Sequence, residues 1–225
     1  MSNQTVVFDL DGTLIDTAPD LILATNHVLE GAGFDPASAE YLRPYISYGA
    51  RRMIAEGLKP QSDTVSQTDI DAMFVKFIDF YSANIAVKSA PFPGMIDVLD
   101  GLRSQGATIA ICTNKQEQMA KLLMRELDLT HHFEVITGRD TFPVCKPDPA
   151  HLVETVRLAG GNVAHAVMVG DSTTDYETAK AAKIPIIGVI FGYTDVPLVE
   201  LDCEAVISHY REFHDALHRI TKARQ

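Results

Sequence analysis

Short apolar runs alternate with stretches of helical spacing over most of this chain. The first run, Val6 to Phe8, is typical of a buried strand, and similar runs predict strands near residues 107–112, 135–136, 166–169 and 186–190. Between these runs, apolar side chains recur every three or four residues, which predicts helices near residues 96–105, 119–127, 151–158 and 174–182. Strands that alternate with helices in this way predict an α/β fold with a parallel sheet.

The segment from residue 17 to residue 89 has helical spacing and no predicted strand. Its clearest helix begins near Thr68, and aromatic side chains at three- and four-residue steps, such as Phe77 and Tyr81, are predicted to be core. The stretch from Ala90 to Gly94 contains two prolines and a glycine, which favours a linker that returns the chain to the sheet. The sequence therefore predicts one discontinuous α/β domain, residues 1–16 and 90–225, with a helical insertion at residues 17–89.

The acidic composition narrows the range of partners. The 225 residues carry a formal net charge of −11, which argues against nucleic acid or an anionic membrane. A small anionic substrate stays compatible, because a metal ion, a lysine or helix N-termini can make a cleft locally positive. The three cysteines are widely spaced, no apolar run is long enough to span a membrane, and no signal peptide precedes the first strand. These features predict a cytoplasmic protein with free thiols.

Two carboxylates follow the first strand. Asp9 and Asp11 are two positions apart, so in an extended segment they point to the same side. Their mutual repulsion is relieved when one keeps its proton or when both meet a divalent cation, and the Thr13 hydroxyl can fix a carboxylate. A plain surface turn is an equally weighted alternative. A calcium loop is excluded, because the chain continues with Leu14 and Ile15 where further acidic ligands are required.

Three later polar segments lie at the ends of predicted strands or at the start of a predicted helix. Thr113 and Asn114 end the second long strand, Lys146 precedes a proline-stiffened helix start, and Asp171 and Asp175 follow the strand at 166–169. Taken singly, these segments are typical of an ordinary polar loop, a solvated lysine and a helix cap. Ligands of parallel sheets, however, bind beyond the carboxyl ends of the strands, so four such segments in one chain predict a ligand site.

Together these segments resemble the motifs of the haloacid dehalogenase-like hydrolases, in their phosphatase branch. The matching segments are Asp9-Leu10-Asp11-Gly12-Thr13, Thr113-Asn114, Lys146-Pro147-Asp148-Pro149 and Gly170-Asp171-Ser172-Thr173-Thr174-Asp175. The resemblance covers almost the whole chain and implies a Rossmann-like parallel sheet core with the insertion as a helical cap domain. Residues 16–21 and 188–193 resemble the phosphoglycolate phosphatases more narrowly. Arg139 and Lys183 depart from the pattern, which has glycine at both positions.

The resemblance implies an enzyme, a magnesium-dependent phosphatase acting on a small phosphate monoester, with 2-phosphoglycolate as the first choice. Asp9 is implied as the nucleophile that forms an aspartyl-phosphate, and Asp11 as the acid that protonates the leaving oxygen and then activates water. The implied magnesium ligands are Asp9, the backbone carbonyl of Asp11, and Asp171, with Asp175 in support. The implied holders of the phosphoryl oxygens are Thr113, Asn114 and Lys146.

The cap is expected to recognise the leaving group. Arg51 and Arg52 follow a flexible glycine in an acidic chain, and a guanidinium pairs well with a substrate carboxylate. A solvated helix face is the equally weighted alternative. His214 and His218, one helical turn apart, have metal-ligand spacing but are predicted to be surface residues away from the cleft.

Other functions stay open at this point. A phosphatase or phosphomutase for another sugar phosphate shares the same core residues and differs in the cap. A non-catalytic binding protein on the same fold is the alternative from a different class, although such a protein has no need to keep Asp9, Asp11 and Asp171. The sequence leaves the assembly as a monomer or a homodimer.

Overall fold

The apolar runs predicted as strands form one parallel sheet in the computed structural model, which describes residues 4–62, 65–193 and 196–224. The strands along the chain are β1 (Thr5–Phe8), β2 (Ile15–Asp16), β3 (Ala90–Pro91), β4 (Thr108–Cys112), β5 (Val135–Thr137), β6 (Ala166–Gly170), β7 (Ile186–Val189) and β8 (Ala205–Ile207). Six of them pair in the order β5-β4-β1-β6-β7-β8, and each neighbouring pair is parallel. The predicted α/β class with a Rossmann-like parallel sheet is confirmed. The two-residue strands β2 and β3 and the three-residue strand β8 were not predicted.

The predicted helices are present, with ends that differ by a few residues. The α-helices are α1 (Ala18–Glu30), α2 (Ala39–Leu42), α3 (Ala50–Leu58), α4 (Gln67–Ala83), α5 (Met95–Ser104), α6 (Glu117–Glu126), α7 (Pro149–Leu158), α8 (Thr173–Ala182) and α9 (Phe213–Ala223). Short 3-10 helices lie at Arg43–Tyr48, Thr130–His132, Val163–His165, Leu198–Glu200 and Tyr210–Glu212. Across the described ranges, every helix is too short or too polar to cross a lipid bilayer.

Strand β1 lies between β4 and β6 in the middle of the sheet and is buried along its whole length. Its side chains alternate between the two faces. Val7 joins a buried cluster with Leu152 of α7 and Ala179 of α8, whereas the Phe8 ring stacks on Phe213 of α9 at 5.8 Å between centroids. Helices therefore cover both faces of the sheet, which is why the parallel strands read as continuous apolar runs.

The chain divides into two compact units, here called the sheet unit (Met1–Asp16 and Pro91–Gln225) and the helical unit (Thr17–Ala90). In the helical unit, Phe77 and Tyr81 are buried and stack with centroids 5.6 Å apart, as the spacing in α4 predicts. The two ends of this unit are tied together, because the buried Asp20 carboxylate accepts hydrogen bonds from the backbone N–H groups of Lys88 and Ser89.

Candidate active site

Asp9 lies at the carboxyl end of the central strand. Its backbone N–H donates to Val169 O at 2.9 Å, which continues the pairing of β1 with β6 by one residue beyond the strand. The Asp9 side chain is buried, with a residue exposure of 8%. The turn that follows needs glycine, because Gly12 has φ 85° and a Cβ there would clash with the Asp171 carboxylate.

Three buried carboxylates converge at this edge of the sheet. Within the described residues, Asp9, Asp171 and Asp175 each offer an oxygen, and these oxygens lie within 4.8 Å of one another. Asp171 is fixed by hydrogen bonds from Thr13 Oγ1 at 2.9 Å and from the Tyr193 backbone N–H at 2.8 Å. The predicted role of the Thr13 hydroxyl in fixing a carboxylate is confirmed.

The charges in this cluster oppose one another. Burial raises the pKa of Asp9 to about 6, where Lys146 opposes the rise and Asp175 adds to it. Burial, followed by the charges of Asp175 and Asp9, raises the pKa of Asp171 well above its usual value. A hard divalent cation prefers oxygen ligands, and its charge stabilises the ionised form of carboxylates that are buried together. The residues present therefore fit a magnesium ion.

Lys146 is the buried cation of the site. Its Nζ lies 2.8 Å from Asp9 Oδ1 and 2.5 Å from Asp175 Oδ1, and the residue is only 4% exposed. Burial lowers the pKa of this ammonium, but the Asp175 and Asp9 carboxylates outweigh burial, and the net pKa is raised. The backbone N–H of Lys146 also donates to His151 Nδ1 at 3.2 Å. Lys146 is therefore a fixed positive charge beside Asp9.

Asp175 is held from two sides. Its Oδ1 accepts from Lys146, and its Oδ2 accepts from Ser172 Oγ at 2.6 Å and from the Ser172 backbone N–H at 3.1 Å. The bond from the Ser172 backbone N–H and the reciprocal bond from the Asp175 backbone N–H to Ser172 Oγ, at 3.3 Å, form a capping box that begins α8. Asp175 therefore caps helix α8 and also belongs to the carboxylate cluster.

The segment after β4 reaches the same edge. Thr113 is buried, and its backbone N–H donates to Thr137 O at 3.1 Å. The side-chain amide nitrogen of Asn114 donates to Lys146 O at 2.9 Å, while its Oδ1 is buried without a hydrogen-bond partner among the described residues. Asn114 thus holds the Lys146 backbone in this structure, and its contact with phosphoryl oxygens stays a prediction.

Sequence reasoning did not assign a role to Lys115. Its Nζ lies 3.0 Å from Asp11 Oδ1 and 3.2 Å from Oδ2, and its side chain is only 7% exposed. The Asp11 carboxylate faces this ammonium and is not part of the three-carboxylate cluster. The available signal was the place of Lys115 in the loop after β4, two residues beyond Thr113.

Arg51 and Arg52 each form an ion pair with a carboxylate of the helical unit. Arg51 Nε lies 2.8 Å from Asp71 Oδ1, and its guanidinium lies over the Phe74 ring at 3.6 Å. Arg52 Nη2 lies 2.7 Å from Glu56 Oε1, a carboxylate that is almost fully buried. Both arginine side chains are about half exposed, at 51% and 55%. Their role in substrate recognition stays a prediction.

The histidines of α9 and the cysteines lie outside the carboxylate cluster. His214 and His218 are exposed on α9, as predicted, and neither belongs to a metal-ligating group among the described residues. The three cysteines are free thiols.

The fold and the site define an enzyme of a known class. A buried carboxylate cluster and a fixed lysine lie at the edge of the sheet where ligands of parallel sheets bind. The family model described as haloacid dehalogenase-like hydrolase matches residues 6–189. The chain therefore belongs to the haloacid dehalogenase-like hydrolase family.

Individual relatives agree with this assignment. The phosphoglycolate phosphatase of Mesorhizobium japonicum is 46% identical over 93% of this chain and 92% of its own length. That of Agrobacterium fabrum is 44% identical over 94% of this chain and 91% of its own length. A crystal structure of a predicted phosphoglycolate phosphatase from Haemophilus somnus has the same fold, with a TM-score of 0.88 at 24% identity, covering 96% of this chain and 98% of that one. The identification as an enzyme of this family, similar to phosphoglycolate phosphatases, is confirmed.

Proposed function

We propose that this chain is a magnesium-dependent phosphatase that hydrolyses a small phosphate monoester, with 2-phosphoglycolate as its substrate, through an aspartyl-phosphate on Asp9. The observation that carries the proposal is the position of Asp9, which lies beyond the central strand with the Lys146 ammonium 2.8 Å from its Oδ1. The choice of ester is supported by the names of the two relatives at 46% and 44% identity.

In the first step, an Asp9 oxygen forms a bond to phosphorus while the bond from phosphorus to the ester oxygen breaks. Asp11 enters this step as the protonated carboxylic acid, gives its proton to the leaving alkoxide and becomes the carboxylate that pairs with the Lys115 ammonium. Lys146 offsets the negative charge that otherwise repels an anionic substrate from a carboxylate nucleophile. The Thr113 hydroxyl, in the residue after β4, is the proposed donor to a phosphoryl oxygen.

In the second step, water attacks the phosphorus of the aspartyl-phosphate, the bond from phosphorus to Asp9 breaks, and Asp11 accepts the proton of the water. The same carboxyl group thus serves both steps, which requires that it stay in place. Lys115 supplies that placement, because its ammonium contacts both oxygens of Asp11.

The buried carboxylates of Asp9, Asp171 and Asp175 would hold the magnesium ion. When bound, this ion supplies positive charge that neutralises the cluster and orients a phosphoryl oxygen. Thr13 and Tyr193 keep Asp171 turned toward the cluster through the two hydrogen bonds to its carboxylate.

The sheet unit is proposed as the catalytic core and the helical unit as the cap that selects the leaving group. Arg51 and Arg52 are the proposed partners of the glycolate carboxylate. Both members of the Arg51–Asp71 pair are about half exposed, so Arg51 can exchange Asp71 for a carboxylate on a substrate. Arg52 can do the same because Lys59, whose Nζ lies 3.5 Å from Glu56 Oε2, leaves the buried Glu56 carboxylate with a partner.

The experiment is an assay of phosphate release on 2-phosphoglycolate and on a panel of sugar phosphates, with magnesium and with a chelator. The proposal predicts magnesium-dependent release with the highest kcat/KM on 2-phosphoglycolate. Equal activity in the chelator would contradict the metal assignment, and a higher kcat/KM on a sugar phosphate would contradict the choice of substrate. No release from any ester would leave a binding protein on the same fold.

A further inference from the structure

A groove of about 470 Å³ lies in the sheet unit, at the end of the sheet opposite the candidate active site. It is lined by residues just before β7, by the end of α8 and by α9. Ile184 and Pro185 lead into β7, and Arg224 Nη1 donates to the carbonyl of Ala166, the first residue of β6. The groove therefore sits at the amino ends of these strands, whereas Asp9 and Asp171 follow the carboxyl ends.

The groove is locally positive in a chain of net charge −11. Four cationic side chains line it, against one carboxylate, Glu204, whose Oε1 lies 2.8 Å from Lys180 Nζ. Within the described ranges, the side chains of Lys183 and Arg219 have no hydrogen-bond or ion-pair partner. These two groups and the anchored Arg224 guanidinium leave the groove with an excess of positive charge.

The backbone at Lys183 is the second observation. This residue ends α8 in the left-handed conformation, with φ 56° and ψ 34°, where glycine is favoured and a side chain costs stability. Lysine stands at this position in place of the glycine that such a helix end favours. Non-glycine residues in such sparsely populated backbone conformations cluster at functional sites, so this conformation supports a functional role for the lysine side chain. Here the lysine side chain lines the groove beside unpaired Arg219.

The floor of the groove is apolar. Ile184 and Ile220 are buried, with exposures of 2% and 6%, and Pro185 and Ala223 continue this surface. The volume falls in the range of small-molecule sites, which is roughly 300–1,000 Å³. An apolar floor with cations at the rim suits a molecule that has a ring at one end and a multiply charged group at the other.

We infer that this groove is a second binding site, for an organic phosphate of mononucleotide size. The phosphate groups lie against Lys183 and Arg219, where each ammonium or guanidinium gives a charge-assisted hydrogen bond. The ring packs on the apolar lining, chiefly on the exposed Ala223, because Ile184 and Ile220 offer little accessible surface. This site is independent of the phosphatase reaction and needs neither Asp9 nor the magnesium cluster.

The test is a titration of the full chain with the non-hydrolysable methylenediphosphonate analogue of ADP, in the presence of a chelator. The methyl NMR signals of Ile184 and Ile220 report on the groove, and calorimetry gives the dissociation constant. We expect saturable shifts of both methyl signals, and weaker binding of inorganic phosphate, which lacks the ring. Shifts confined to signals near Asp9, or no saturable shift, would overturn the inference.

Variants separate a site from general electrostatic attraction. Lys183→Gly and Arg219→Gln are each expected to weaken binding about tenfold, because each removes one charge-assisted hydrogen bond. Lys183→Gly should at the same time leave the Tm unchanged or raise it, so lost binding cannot be ascribed to lost folding. The matched control, Lys222→Gln, removes an exposed charge of α9 that does not line the groove. Equal losses in all three variants would overturn the site. So would binding to anionic lipid vesicles through these residues without saturable binding of the nucleotide analogue.

Discussion

The Nζ atom of Lys115 lies 3.0 Å from Oδ1 of Asp11, although 104 positions separate the two residues in the chain. Both follow strands that are neighbours in the sheet, β1 and β4, so the parallel topology brings their loops together. This ion pair fixes the carboxyl group that is proposed to exchange protons with the leaving oxygen and with water.

Replacing Lys115 should therefore impair proton transfer. Lys115→Met is expected to lower kcat for an alkyl phosphate by about tenfold or more, because the acid is no longer held in place. An aryl phosphate, whose phenolate leaves without much help, should lose less. The measurement is single-turnover hydrolysis of both esters.

The matched control is Lys121→Met, which removes an exposed lysine from nearby α6. Its rates should stay close to wild type on both esters. Equal losses of the alkyl and aryl esters in Lys115→Met would show that Lys115 serves binding or folding and does not orient the acid.

The contribution of Asp9 to the stability of the metal-free protein should fall as the pH rises from about 4 to about 6. Burial raises the pKa of Asp9 from 3.8 to about 6, so in this window the folded state binds a proton that the unfolded state has released. The stability that a raised pKa contributes is fully present below the pKa of Asp9 in the unfolded chain. It is lost as the pH rises through the pKa of Asp9 in the folded protein. A rise of about two units corresponds to up to about 3 kcal/mol.

Urea unfolding in a chelator, across this pH range, measures the effect. Asp9→Asn has no titrating group at this position, so the stability of the wild type relative to this variant should fall as the pH rises through this range. Magnesium should stabilise the wild type more than the variant at neutral pH. Parallel stability profiles for the two proteins would mean that Asp9 does not titrate as described.

Arg51 provides the test of substrate recognition. Arg51→Met should raise KM for 2-phosphoglycolate by about tenfold, because a charge-assisted hydrogen bond to the carboxylate is lost. An aryl phosphate without a carboxylate should keep its KM. The Arg51–Asp71 pair is half exposed and screened by solvent, so its loss should leave folding stability nearly unchanged.

Lys76→Met is the control for this variant, since it removes an exposed cation from α4 of the same unit. It should leave both KM values unchanged. A similar rise in KM for the two substrates in Arg51→Met would assign Arg51 to general attraction of anions, and an unchanged KM would remove it from the recognition site.

Much of the site could be predicted from the sequence because a parallel sheet brings the residues that follow neighbouring strands close together. Once β1, β4 and β6 are placed side by side, the residues after their carboxyl ends must meet, and Asp9, Thr113 and Asp171 are such residues. The switch from an apolar run to carboxylates and hydroxyls is visible without a structure.

The pairing of individual side chains could not be predicted in the same way. The Lys115–Asp11 ion pair and the hydrogen bond from Asn114 to Lys146 depend on rotamers and on the course of the loops, which periodicity does not encode. The partner of Arg52, the buried Glu56, belongs to the same helix, but its burial depends on how α3 packs. Strand β8 was not predicted, although its three residues are all apolar and it is as long as β5.

The central claim is that Asp9 becomes phosphorylated during turnover, and trapping this intermediate tests it most directly. Asp11→Asn keeps Asp9 charged but removes the group that activates water, so the aspartyl-phosphate should accumulate with an aryl phosphate and magnesium. The reaction is quenched in acid within one turnover, and peptide mass spectrometry locates the phosphoryl group.

The account predicts one added phosphoryl group on the peptide that contains Asp9, formed as fast as the phenol is released. The double variant Asp9→Asn with Asp11→Asn should gain none and release no phenol. Phenol release by Asp11→Asn without a phosphorylated Asp9, or near-normal hydrolysis by Asp9→Asn alone, would contradict the covalent mechanism.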